Sequence, residues 1–253
     1  MTSPAERALD ARERLGLSGK GPLPDILGLI ETVAGIPVVV EQLGDDGIAG
    51  AYAVRRGVPF ILVNGSSAIV RGRFTIAHEF GHHLLQHGLS VDRVITLAGG
   101  QPVKEVQANA FAAEFLLPLE ALEVWLRPRK YPPVDLPLVV DLAHTFRVSA
   151  LVALYRLSAA SRVDTRTANK IEKAIERNEH RSVRLPPRPL LPESFGDASK
   201  RSRRLPSEAE YLLLSALGAG LLSERDVAAK LRLGPQEVRQ RAQRIASEQS
   251  EDI

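Results

Sequence analysis

The sequence predicts an α+β protein, mainly helical, with a small antiparallel β-sheet. Three observations carry that expectation. Apolar residues recur at helical three-four spacing over most of the chain. Only residues 38–63 carry short β-type runs, and there are three of them. The composition, 44% hydrophobic and 25% charged over 253 residues, is that of an ordinary globular protein. Such a length buries a core without disulfide or metal staples and allows one to two domains. There is no cysteine. This excludes a disulfide scaffold, an iron–sulfur cluster, a Cys-type zinc finger and a cysteine nucleophile.

The elements follow in order. Ser3-Pro4-Ala5-Glu6 reads as a capping box with proline at the first helical position. The helix it opens runs to about Leu15 and stops at Gly16. Asp25–Ala34 fits a second helix, with Ile26, Leu27, Ile30, Val33 and Ala34 on one face and Gly35 closing it. Val38-Val39-Val40, Gly47–Val54 and Phe60–Val63 read as strands, the last ending in the turn dipeptide Asn64-Gly65. Three short strands in sequence suggest an antiparallel meander. From Arg73 to His87 the pattern is helical again. Val103–Leu117 is a strong helix stopped by Pro118, and a short helix follows through Trp125.

Arg127–Pro133 is a proline-broken basic loop and the first domain boundary. Leu138–Phe146 and Ser149–Leu157 read as two helices joined by a tight Arg147-Val148 turn. Asp164–Glu179 fits another helix. Residues 180–206 hold five prolines, seven basic and two acidic residues, which is linker composition. Ser207–Leu217, Ser223–Leu231 and Pro235–Ala246 complete a small helical unit. The expected domains are therefore 1–130, 131–179 and 207–253, with 180–206 as the linker.

Net charge is +3, unevenly placed. Residues 1–130 carry 13 basic and 14 acidic residues, and 131–253 carry 20 and 16. The basic second half is compatible with nucleic acid or an acidic partner. The longest near-apolar run, Leu212–Leu222, is broken by Ser215. A membrane span needs roughly 18 such residues, so none is expected. The charged N-terminus has no apolar stretch of signal-peptide type. The expected location is the cytoplasm.

Four of the six histidines lie within ten residues: His78, His82, His83 and His87. His78-Glu79-Phe80-Gly81-His82 matches H-E-x-x-H. On a helix, positions i and i+4 share a face, so His78 and His82 can reach one metal ion. Glu79 stands beside that ion, placed to take a proton from the attacking water. A hydrolytic site needs a third ligand and an open position for water. His87 fits poorly. In the longer H-E-x-x-H-x-x-G-x-x-H pattern the third histidine falls where this chain has Gly88, and the turn glycine where it has Leu85. A carboxylate from the next helix is the better candidate, either Glu105 or Glu114. Spacing alone leaves the two near even.

These residues resemble the ImmA/IrrE family of metallopeptidases. The resemblance rests on Arg73-Phe74-Thr75-Ile76-Ala77-His78-Glu79-Phe80-Gly81-His82 and on the run Glu105 to Pro118, EVQANAFAAEFLLP. Gly50-Ala51-Tyr52, Ile61–Asn64 and Leu142–Ser149 look like the family's strand and helix-turn-helix segments. The resemblance covers about residues 5–160. It implies a zincin-like helical domain with His78, His82 and Glu105 as metal ligands and Glu79 as catalytic base. Glu105 precedes Asn109 by four residues, as the family motif requires. Many members carry an acidic residue where this chain has Gln107. Zinc is the implied metal, and manganese is another divalent ion such donors accept. The implied substrate is a helix-turn-helix repressor of the Xre type, whose cleavage relieves repression of stress, DNA-repair or mobile-element genes. The family often carries a histidine at the position of His87, to which packing or a bond to a ligand is the default assignment. Tyr52, Arg73 and Tyr131 are the candidates for stabilising an oxyanion.

The segment Leu142–Leu157 offers few polar side chains to base edges and reads as a packing or docking unit rather than a DNA reader. In the C-terminal unit Gln236, Arg239, Gln240, Gln243 and Arg244 share an outer surface, a set able to contact DNA and equally an ordinary solvated face. The rival reading is a DNA-binding regulator or antitoxin-like module whose metal site is structural or vestigial. It predicts loss of a motif residue, and none of the four is lost.

Overall fold

The computed structural model describes residues 2–42, 48–55, 58–88, 90–93, 102–186, 210, 213–214, 217–218, 223–231 and 233–251. Helix α1 (Pro4–Arg14) starts with the expected capping box: Ser3 Oγ accepts from the Glu6 N–H, and Glu6 Oε2 accepts from the Ser3 N–H at 2.7 Å. Its Arg12 is fully buried and donates to the carbonyls of Gly21 and Phe115 at 2.7 and 2.6 Å, tying α1 to the end of a later helix. Helix α2 (Ile26–Thr32) is capped by Asp25 and buries Ile26, Leu27 and Ile30.

Four strands follow: β1 (Val38–Glu41), β2 (Ile48–Arg55), β3 (Val58–Asn64) and β4 (Ser90–Arg93), in sheet order β1-β3-β2-β4. The sheet is small, as expected, but it is mixed rather than wholly antiparallel. β2 pairs antiparallel with β3 and β4, whereas β1 pairs parallel with β3. The register explains the choice. Val38 faces Ile61 and Val40 faces Val63, and all four side chains are buried in one apolar stripe. The expected start of β2 at Gly47 lies outside the described residues.

Helix α3 (Ile69–Leu84) begins four residues before the expected Arg73 and ends before His87. Gln86 adopts the left-handed conformation (φ 58°), its N–H reaches His83 O, and the His87 N–H reaches His82 O. This is a Schellman stop with glutamine in place of the usual glycine. Then come α4 (Val103–Leu116), α5 (Leu119–Leu126), α6 (Leu136–Phe146), α7 (Ala150–Ala159) and α8 (Thr165–Glu176). A 3-10 turn, Glu179–Ser182, takes the place of the last turn expected for α8. α6 and α7 meet at 105° across Arg147, and Ser149 caps α7. Most of α7 is buried, including Val152, Ala153, Leu154, Arg156 and Leu157. One buried cluster runs from Ala8 to Ile171, so α6–α8 share a core with the elements before residue 130.

Among the described residues no single helix is long and apolar enough to cross a membrane. Most of the expected linker, residues 187–206, lies outside the description, as does most of the helix expected over 207–217. Beyond it, α9 (Glu224–Leu231) and α10 (Pro235–Glu251) pack a small separate cluster of Leu214, Val227, Leu231 and Val238.

The crossing of α3 and α4 positions the site. A Cβ at Gly81 would lie 2.9 Å from Phe111 Cδ1. Only glycine lets α4 approach this closely, and Phe80, Phe111 and Phe115 then form a packed aromatic cluster with ring centroids 5.6–5.8 Å apart. Gly81→Val is expected to cost about 1–3 kcal/mol by overpacking, read as a lower denaturant midpoint. An unchanged midpoint would show that the helices do not meet there.

Candidate metal centre

His78 and His82 lie one turn apart on α3, with their Nε2 atoms 3.0 Å from each other. Glu105, in the first turn of α4, brings Oε2 to 3.1 Å from His78 Nε2 and Oε1 to 3.5 Å from His82 Nε2. Both histidines are buried, while the Glu105 side chain is 24% exposed, so the cluster opens to solvent on its α4 side. Among the described residues these three form the one group able to hold a metal ion. Glu114 is not part of it. It lies nine residues beyond Glu105, half a turn round α4 by helical geometry. There it pairs with Arg156, and its Oε1 accepts from the Leu119 N–H at 3.1 Å.

The outer hydrogen bonds test whether a cation fits. His78 Nδ1 lies 3.0 Å from Asn109 Oδ1, an oxygen that only accepts. Donation of Nδ1–H to that oxygen would leave the lone pair of His78 Nε2 facing inward. His82 Nδ1 lies 3.0 Å from His87 Nδ1, and His87 Nε2 lies 3.0 Å from Gln107 Oε1. Burial lowers the pKa of His87, favouring its neutral form. Followed inward from Gln107, these bonds give His82 an inward lone pair as well. Two imidazole lone pairs and a carboxylate then face one another across 3.0–3.5 Å. Such a triangle repels itself unless a cation fills it. Tetrahedral ligands at the usual zinc–nitrogen length stand about 3.3 Å apart, so the spacing fits one small divalent ion.

Glu79 is fully buried, about 100° round α3 from His78. β2 passes it at Gly50, where an added Cβ would lie 2.4 Å from Thr75 Cγ2 and 3.1 Å from Glu79 Oε1. Gly50 thus leaves the space that the carboxylate occupies. One turn along the same face, the Tyr52 hydroxyl meets His83 Nδ1 at 2.9 Å, and the His83 ring stacks on Phe80. Burial raises the Tyr52 pKa and lowers that of His83.

Of the oxyanion candidates, Arg73 is excluded by its contacts. Its guanidinium is fully buried and donates to Leu23 O, Pro24 O and Arg147 O, tying α3 to the loop before α2 and to the α6–α7 turn. Tyr131 is half exposed beneath Arg162. The structure brings the expected ligands His78, His82 and Glu105 together and buries Glu79 on the same helix as the two histidines. Spacing did not single out Asn109 or Gln107 as acceptors for the rings. For Asn109 the signal was available, because it stands four residues after Glu105 and shares its face.

The IrrE N-terminal-like domain family, Peptidase M78, matches residues 31–158, which is 128 of the 253 residues and includes the whole cluster. No curated protein matches the chain. With over half its length matched and the metal-binding cluster inside that match, the chain belongs to the Peptidase M78 family of metallopeptidases.

Proposed function

We propose that this protein is a zinc-dependent endopeptidase that cleaves a helix-turn-helix repressor of the Xre type and so relieves repression of stress, DNA-repair or mobile-element genes. The observation that carries the peptidase reading is the convergence of His78 Nε2, His82 Nε2 and Glu105 beside a buried Glu79. The repressor as substrate rests on the family resemblance.

His78, His82 and Glu105 hold the ion, and Asn109 orients the His78 ring through its Nδ1–H. When bound, zinc polarises a peptide carbonyl and acidifies water at neutral pH. Glu79 takes one proton from the attacking water and delivers it to the leaving amide nitrogen as the C–N bond breaks. Its burial keeps bulk water from competing for that proton.

The test is incubation of the full chain with an Xre-type repressor, with and without a chelator. Cleavage that stops with chelator and returns with zinc supports the reading. Cleavage insensitive to chelator contradicts it.

The catalytic unit we propose is complete before the proline-rich segment. A chain ending at Ser182 is expected to fold, bind one metal ion and keep its hydrolytic activity. If 207–253 docks the repressor on DNA, the truncated chain loses most on operator-bound repressor at low salt, where Arg and Lys contacts count most. Arg239 and Arg241 are already paired, with Glu224 and Glu237 respectively, which limits what they can offer DNA. Equal cleavage of free and operator-bound repressor by both chains would remove any targeting role.

A further inference from the structure

We propose that His87 and Gln107 form a positioning pair that fixes the tautomer of His82 and so prepares its Nε2 for a divalent ion. The proposal rests on the metal-site reading above and gives its two outer residues a role in metal affinity.

The α3 stop places the pair. In a Schellman stop the residue after the left-handed one folds back over the last turn and meets the residue five before it. Those residues here are His87 and His82, whose rings meet edge to face with centroids 5.0 Å apart. An apolar contact commonly fills this place. Here both nitrogens of the His87 ring are in hydrogen-bond distance of polar atoms, which packing alone does not require.

The direction of the bonds follows from the far end. Gln107 Oε1 only accepts, so His87 Nε2 carries the proton. A ring that gives its Nε2–H to Gln107 turns Nδ1 toward His82 Nδ1 at 3.0 Å, placed to accept a proton donated from there. His82 is left with its lone pair on Nε2, the atom 3.5 Å from Glu105 Oε1. Lys104 Nζ donates to the His87 carbonyl at 2.8 Å and holds the backbone of the turn against α4. Gln107 and Glu105 both stand in the first turns of α4. Docking that helix therefore delivers a ligand and, two residues later, the acceptor that orders the opposite ligand.

Without the acceptor at 87, His82 is free to carry its proton on Nε2, which blocks metal binding. Losing such an outer contact weakens metal affinity by about 10- to 100-fold. The experiment titrates cobalt(II) into the metal-free full chain and follows its visible absorption. In parallel, nitrogen-15 NMR reads the His82 tautomer without metal. His87→Phe keeps the bulk but removes the acceptor. It should bind cobalt about 10- to 100-fold more weakly and should lose the pure Nδ1–H form of His82. His87→Asn puts an oxygen near the position of Nδ1 and should recover most of the affinity. Gln107→Glu should bind like wild type, and Gln107→Leu should fall between wild type and His87→Phe.

Unchanged affinity and tautomer in His87→Phe, with the wild type binding cobalt, overturn the positioning role alone. His87→Asn as weak as His87→Phe also overturns it, leaving His87 a packing residue. A wild-type chain that binds no cobalt overturns the metal-site reading and this proposal with it.

Discussion

Glu79→Gln is expected to abolish peptide-bond cleavage while leaving metal affinity within about threefold of wild type. Glutamine has nearly the shape of glutamate, so the space left by Gly50 remains filled and the α3–β2 contact is kept. What the amide lacks is a basic oxygen. Positioned general acid–base catalysis contributes about 10²- to 10⁴-fold, and here one carboxylate handles both the removal and the return of the proton. The two transfers fall in successive steps, so the loss is set by whichever limits the rate and should be at least about 10²-fold. Metal affinity is spared because the inward donors are His78, His82 and Glu105. The check is repressor cleavage by the purified variant, with metal content measured on the same sample. Cleavage above about a few per cent of the wild-type rate would show that Glu79 is not the base.

Glu105→Ala and Glu114→Ala are expected to fail in opposite ways. Removing Glu105 takes one of three inward donors and leaves two histidines. Metal affinity should fall by orders of magnitude, as for His82→Ala, with little change in the unfolding midpoint, since Glu105 is partly exposed. Removing Glu114 leaves the Arg156 guanidinium buried between α4 and α7 without its carboxylate. Breaking a buried pair from one side costs about 3–5 kcal/mol, and the Leu119 N–H at the start of α5 loses its acceptor as well. The folded Glu114→Ala fraction should nevertheless bind metal normally. Metal titration beside thermal unfolding on both variants separates the two. The reverse ranking would move the site to Glu114.

Much of this site was legible because helical spacing does chemical work at short range. His78, Glu79 and His82 are fixed by one turn of one helix. The choice between Glu105 and Glu114 was harder from sequence, because both carboxylates lie on one helix. Counting nine residues between them puts them on opposite faces. What a sequence cannot supply is which face turns toward α3, and that is decided at Gly81 and Phe111. The role of His87 was not legible for a related reason. Its partner is set by a left-handed Gln86, a conformation in which glycine is the usual signal. The sheet shows a similar limit. The first three strands were legible, but the parallel pairing of β1 with β3 depends on matching buried side chains across 23 residues of separation. β4 was missed altogether, because Ser90-Val91-Asp92-Arg93 is short and polar and has no strand pattern of its own. Arg73 was one of three residues offered as an oxyanion stabiliser. Its role is instead to hold three carbonyls in the interior.

The central claim is a hydrolytic metal centre with two histidines, one carboxylate and a position open to water. X-ray absorption at the zinc edge of the loaded full chain tests it most directly. The account predicts one ion per chain with two imidazole ligands, one carboxylate and one further light atom that an added hydroxamate displaces. A site closed by four protein ligands, unresponsive to hydroxamate, would contradict it and make the metal structural.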